Sequence, residues 1–150
     1  MAESQQYSTF MVDGFFFGVE VERVQEVIKF QSMTPVPLAS RMVRGLINLR
    51  GQIVTAIDLR RRLDLKEREE GEEPMNVVIR TDEGAVSLLV DEIGDVLELT
   101  EDTLEPPPPT IRGVARDLVI GVHKLEGQLL LILDIDKVIT VTQEKVGVGE

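Results

Sequence analysis

The sequence predicts a mostly β protein made of two small five-stranded antiparallel barrels packed around a shared core, and three observations carry that expectation. The first is a repeat: GLINLRGQIVTAIDL at 45–59 returns as GVHKLEGQLLLILDI at 121–135, with Gly45, Leu49, Gly51, Gln52 and Asp58 matching Gly121, Leu125, Gly127, Gln128 and Asp134. The second is a further repeat with a different spacing. Val21, Glu22, Val24, Glu26, Val27 and Ile28 stand opposite Val90, Asp91, Ile93, Asp95, Val96 and Leu97 at an offset of 69, whereas the first repeat is offset by 76. The third is that apolar residues alternate in short runs broken by glycine turns, a period of two that belongs to strands. Each copy, about seventy residues long, is near the lower size limit for a stable fold, so the copies are expected to share a packed boundary. Closing each sheet also removes exposed strand edges.

In chain order, Met1–Gln6 reads as a polar lead. Tyr7–Val12 and Phe15–Val19 form a hairpin over Asp13-Gly14, a favoured type I′ pair, with Phe15, Phe17 and Val19 on one face. VERVQEVI from Val21 suits a short helical turn leading into a strand. Thr34-Pro35-Val36-Pro37 is an extended loop that cannot donate to a central ladder. The 45–59 stretch is a strand, an Arg50-Gly51 turn and a longer strand. RRRLDLKEREEGEEP then begins as a helical turn and ends as a solvated loop at the boundary between halves. A second hairpin, Met75–Arg80 and Ala85–Val90, turns over Asp82-Glu83-Gly84. The seven extra residues of the second repeat fall between Leu97 and Gly121, where Pro106–Pro109 and Thr110-Ile111-Arg112-Gly113 form an insertion whose prolines favour polyproline II or a plain spacer. The second hairpin of the repeat turns at Glu126-Gly127, and Lys137–Val141 closes the unit. The division expected is one domain over 1–150, with a first barrel at 7–65, a second at 75–141 and a frayed tail at 142–150.

Composition removes several function classes. A formal charge of −11 argues against nucleic acid and against anionic membrane surfaces, since phosphate binding needs a basic stripe. There is no Cys, and the first residues lack both a basic and an apolar targeting region, so the chain reads as soluble, unexported and cytoplasmic. Catalytic patterns are missing. The single histidine, His123, falls opposite Ile47 of the other copy and reads as a satisfied structural histidine. One His makes no multi-histidine metal site. The repeated Asp58 and Asp134 precede Leu59 and Ile135 rather than the turn residues of an aspartic protease, and capping of the following turn is the better account. No enzyme activity, metal or cofactor is expected.

The residues also carry a resemblance. VQEVI at 24–28, TPVP at 34–37, RGLINLRGQIVTAIDLRRRL at 44–63, LLVDEIGDVLEL at 88–99 and GQLLLILDIDKVI at 127–139 are similar to the CheW family of chemotaxis coupling proteins. The chain departs from the family pattern at Thr55-Ala56, where Pro-Val is common, and at Leu63, where an aromatic is common; both positions concern packing. The resemblance implies two SH3-like five-stranded barrels and a scaffold role without chemistry, in which one surface binds the regulatory domain of a CheA-type histidine kinase and another the cytoplasmic tip of methyl-accepting chemoreceptors. The chain would be a monomer alone and an array component in complex.

What the resemblance implies for sites is a receptor surface of Val24, Glu26, Val27, Gly45, Arg50, Ile93 and Val96, with Arg50 and Glu26 hydrogen-bonded beside a groove that the four apolar residues line. Ordinary core valines and a structural ion pair are the competing reading. For the kinase the candidates are Met42, Val43 and Met75, which flank strands next to polar loops, and Glu105, Pro106 and Thr110, in the loop where the family makes a second kinase contact. Glu105 and Thr110 depart from the basic and aromatic residues common there. Two other functions stay open: a coupling protein of a non-flagellar sensory array, and an enzyme or small-molecule carrier using the groove between barrels.

Overall fold

The computed structural model describes residues 3–109 and 116–140. The first half runs β1 (Ser4–Val12), β2 (Phe15–Glu20), a 3₁₀ turn (Val21–Arg23), β3 (Val24–Ile28), β4 (Val43–Leu49), β5 (Gln52–Asp58) and the short helix α1 (Leu59–Arg62). The second half runs β6 (Met75–Thr81), β7 (Gly84–Val90), β8 (Glu92–Thr100), a 3₁₀ turn (Glu101–Thr103), β9 (Leu104–Glu105), a 3₁₀ turn (Arg116–Leu118), β10 (Val119–Leu125), β11 (Gln128–Leu133) and α2 (Ile135–Val138). The expected hairpins and both helical turns are present. Ser4–Gln6 is strand rather than a polar lead, because these residues pair with Thr100, Leu99 and Glu98 of β8.

The strands form two sheets, ordered β8-β1-β2-β11-β10-β9 and β3-β6-β7-β5-β4, which are the two SH3-like barrels. Neither barrel is one half of the chain. The division at 7–65 and 75–141 is therefore corrected: the β1–β2 hairpin sits between β8 and β11 of the second repeat, and the β6–β7 hairpin sits between β3 and β5 of the first. The reason is that the two hairpins are themselves copies, so either can complete either barrel. The repeat offsets fix which residues are equivalent but not which copy supplies the partner.

The registers show the exchange to be symmetric. Thr55 opposite Val86 has its counterpart in Leu131 opposite Phe17, Ala56 opposite Ser87 in Ile132 opposite Gly18, and Val27 opposite Val77 in Val96 opposite Ser8. The first two of these pairings are parallel, so each barrel is antiparallel except where an exchanged hairpin meets β5 or β11.

Burial follows from this arrangement. One apolar cluster draws on both sheets, with Phe10, Phe17 and Val19 from one and Ile57, Ile79 and Leu88 from the other. Two smaller clusters fill single barrels, Ile47, Val54, Val78 and Leu89 in one and Tyr7, Leu130 and Ile132 in the other. Burying a large aliphatic or aromatic side chain contributes about 1.5–3 kcal/mol, and the shared cluster is the largest, so the two barrels stabilise each other. Phe15 is only half-buried, at the margin of that cluster.

Turn chemistry is as the residues require. Asp13 and Gly14 take φ of 49° and 81°, and Arg50 and Gly51 take 52° and 87°. Asp58 accepts from the backbone N–H of Arg60 and Arg61, and Asp134 from that of Lys137, so both repeated aspartates are helix caps.

Candidate functional site

Arg50 stands on the β4–β5 turn, and its guanidinium donates to the Glu26 carboxylate on β3. β3 and β4 are the two edges of the five-stranded sheet, so this contact bridges the seam where the sheet curls on itself. Hydrogen bonds from Arg50 and then from Gln25 hold the Glu26 carboxyl below the ordinary glutamate range. The equivalent positions in the other barrel are Asp95 and Glu126, two acids, so the repeats have diverged at this seam.

The four apolar candidates separate into two kinds. Val24 and Ile93 are half-buried and pack against the shared core, at its margin. Val27 and Val96, equivalent residues on β3 and β8, keep 37% and 54% of their surface exposed. β3 and β8 are each an edge strand of their sheet. A β-bulge at Val24/Glu26, and its counterpart at Ser8/Phe10 where β1 meets β8, lies between the inward and outward residues.

Gly45 is buried, and a Cβ built there would come within 2.7 Å of the Thr34 carbonyl oxygen. The Thr34 N–H and C=O exchange hydrogen bonds with Leu46 at 2.9 and 2.8 Å. Gly121 is the same device, 2.7 Å from the Glu105 carbonyl oxygen. Gly45 thus has a packing duty: it lets the extended loop lie against β4.

Of the kinase candidates, Met42 and Met75 are half-buried and pack on the shared core, and Val43 is half-buried opposite Ile57. All three lie at the end of the five-stranded sheet away from the Arg50-Gly51 turn. Glu105 is exposed in β9 and pairs with Lys124 at 3.4 Å, and Pro106 is exposed beside it. Thr110, the 110–113 insertion and the tail at 142–150 lie outside the described residues.

His123 is 1% exposed inside the six-stranded barrel, where the other barrel has Ile47. Its Nδ1 is 2.9 Å from the Thr103 hydroxyl, while Nε2 has no partner among the described residues. Burial lowers its pKa, and its ring lies 5.6 Å from that of Tyr7. It is a structural histidine only half supplied with hydrogen bonds. Among the described residues no group of three or more His, Asp or Glu is placed to hold a metal ion, and no helix is long and apolar enough to cross a membrane.

Sequence reasoning missed a buried ion network. The Asp91 carboxylate receives Arg60 through Nε and Nη2 at 3.1 and 2.6 Å, Arg68 through Nη2 at 2.8 Å and the Asp13 N–H at 2.7 Å. Burial pushes the Asp91 carboxyl up, but hydrogen bonds from Arg60, Asp13 and Arg68 outweigh it and hold it below the ordinary aspartate range. The network ties the β1–β2 turn to α1 and to the loop after it. The cluster of arginines at 60–62 and 68 beside acidic residues was its only trace in the sequence.

Paired barrels with exchanged hairpins, and exposed apolar residues on edge strands beside an ordered charge pair, define an interaction module. The chain belongs to the CheW-like domain family, whose model matches residues 6–143. It is similar to the chemotaxis protein CheW of Bacillus subtilis, 35% identical over 133 residues, or 87% of this chain and 83% of the relative. It is also similar to that of Thermotoga maritima, 32% identical over 93% of this chain and 91% of the relative. Among solved structures, the scaffolding protein CheW of Thermoanaerobacter tengcongensis matches with a TM-score of 0.79 and 26% identity, covering 88% of this chain and 90% of that one.

Proposed function

We propose that this chain is a non-catalytic, cytoplasmic coupling scaffold of a chemotaxis array, joining chemoreceptors to a CheA-type histidine kinase. The observation that carries the reading is the Arg50–Glu26 pair at the barrel seam, with exposed Val27 one residue away on the same edge strand. An ordered charge pair beside apolar anchors suits the tip of a receptor helical hairpin, whose side chains dock as knobs. Val96, the symmetry mate of Val27, is the exposed apolar residue at the matching place on β8, and Val24 and Ile93 lie at the core margin of their strands.

Met42, Val43 and Met75 are assigned to the kinase regulatory domain, and Glu105, Pro106 and Thr110 to a second kinase contact. The seven residues of β5 separate the Arg50 turn from the Met42 end, a span of roughly 20 Å. Receptor and kinase can therefore be bound at the same time. Coupling is then linkage, since a receptor state that alters contacts with the scaffold alters the kinase equilibrium by the same free energy.

The test is titration calorimetry with the isolated kinase regulatory domain and, separately, a soluble receptor tip fragment. Met42→Glu with Met75→Glu is expected to weaken the kinase alone. Arg50→Ala and Val96→Asp are expected to weaken the receptor roughly five- to thirty-fold, the loss of one apolar anchor worth about 1–2 kcal/mol. Equal loss of folding and of both partners would return these residues to a structural role.

A further inference from the structure

We propose that His123 is an acid-sensitive latch at the edge of the six-stranded barrel: when Nε2 takes a proton, the 3₁₀ turn Glu101–Thr103 and β9 release from β10. The hydrogen bonds around Thr103 decide which ring nitrogen carries the hydrogen. The Thr103 hydroxyl gives its one hydrogen to the Thr100 carbonyl at 2.8 Å, so toward His123 Nδ1, 2.9 Å away, its oxygen can only accept. Nδ1 is therefore the N–H, and Nε2 is a bare lone pair, buried and without a partner. His123 is 1% exposed, opposite Leu130 of β11 and Leu104 of β9, with the Tyr7 ring 5.6 Å from its own. A proton added at Nε2 makes a buried cation with nothing to receive its new N–H, a cost that burial already registers by lowering the His123 pKa.

The surrounding elements do not offset that cost. β11 carries no titratable residue, and β1 brings Tyr7, kept protonated by burial and then by Glu20 and Glu101. Glu101 and Asp102 of the 3₁₀ turn are exposed, as are Glu92, Asp95 and Glu98 of β8, and Glu105 of β9 pairs with Lys124 of β10 at 3.4 Å. Among the described residues none of these carboxylates is bonded to the ring. Water must therefore receive the proton's charge, and it enters where the ring is most weakly covered. β1 is held on both sides, by β2 and β8, and β11 by β10 and β2. β9 is two residues long and paired only with β10, the turn before it has no side-chain cap, and Thr103 is already exposed. The other barrel has Ile47 at the His123 position and lacks the titrating group.

Glu105 and Pro106 are assigned above to a second kinase contact, so on that reading acid loosens that contact; the test uses the chain alone and does not depend on it. The experiment is amide hydrogen exchange of the full chain at pH 7.5 and pH 5.5, expressed as protection factors so that the intrinsic pH dependence of exchange cancels. With His123 neutral when latched and titrating near the ordinary value of about 6.5 when released, the released population should rise about tenfold over that interval. The rise is read at the Leu104 amide, which bonds to the Glu101 carbonyl, while amides of β5 and β7 stay unchanged. His123→Ile, the residue of the other barrel, should abolish the pH dependence, and His123→Gln serves the same purpose if the isoleucine variant does not fold. Long-range ¹H–¹⁵N correlation at pH 7.5 should place the ring hydrogen on Nδ1. A change under about twofold at Leu104, the same change in the non-titrating variant, an equal change throughout both sheets, or a ring hydrogen on Nε2 at pH 7.5 would overturn the proposal.

Discussion

Replacing Asp91 with alanine removes the carboxylate on which the guanidiniums of Arg60 and Arg68 converge. Those side chains keep 11% and 5% of their surface exposed, so neither can rehydrate without opening the segment around it. Removing one partner of a fully buried pair costs about 3–5 kcal/mol. Asp91 itself is 20% exposed, and Arg60 keeps Asp13 at 3.6 Å, which brings the expectation down to about 2–3 kcal/mol. The assay is urea unfolding with hydrogen exchange. Because Asp91 also holds the Asp13 N–H, exchange should rise first at the β1–β2 turn and in the loop after α1. Leucine at 91 with methionine at 60 and 68 should recover most of the loss, since a well-packed apolar set can replace a buried ion cluster. A loss under about 0.5 kcal/mol, with unchanged exchange at the Asp13 turn, would refute the view that this network clamps the exchanged hairpin.

Acid should act on the same network. A folded-state pKa held below the unfolded value gives Asp91 a stabilising contribution that is full above the ordinary aspartate range and is lost as pH falls through the depressed value. Stability should therefore fall below about pH 4, and Asp91→Asn should flatten that part of the acid profile. Gly121→Ala places a Cβ 2.7 Å from the Glu105 carbonyl oxygen and should lift β9 from β10, costing about 1–3 kcal/mol by thermal unfolding. Exchanging charges with Glu26→Arg and Arg50→Glu should leave the urea unfolding midpoint close to that of wild type, as for an exposed pair, while receptor binding falls; restored receptor binding in the exchanged pair would assign the residues to the seam alone.

The strands, their turns and the aspartate caps were legible because each is local: alternation, an Asp-Gly or Arg-Gly pair, and an acid before an apolar turn act within a few residues. The exchange of hairpins was not. Val77 and Ser8 are equally good partners for Val27 by pattern, and only the packed structure selects Val77 for Val27 and leaves Ser8 to Val96. The repeat did not display the close backbone approach that both Gly45 and its counterpart Gly121 admit, of Thr34 in one barrel and of Glu105 in the other. Val24 and Val27 look alike in sequence, and a bulge between Val24 and Glu26 decides which of them faces water. The Asp91 network joins residues from four separate segments, so no window of sequence could have displayed it.

The most direct measurement of the scaffold role is co-sedimentation of a CheA-type kinase with receptor-bearing membranes in the presence of this chain or of its Val96→Asp variant. The account predicts that the kinase pellets with the membranes when the wild-type chain is present, and that the variant still binds kinase in solution but leaves it in the supernatant. Kinase that pellets equally well with the variant, or that never pellets with the wild-type chain, would contradict it.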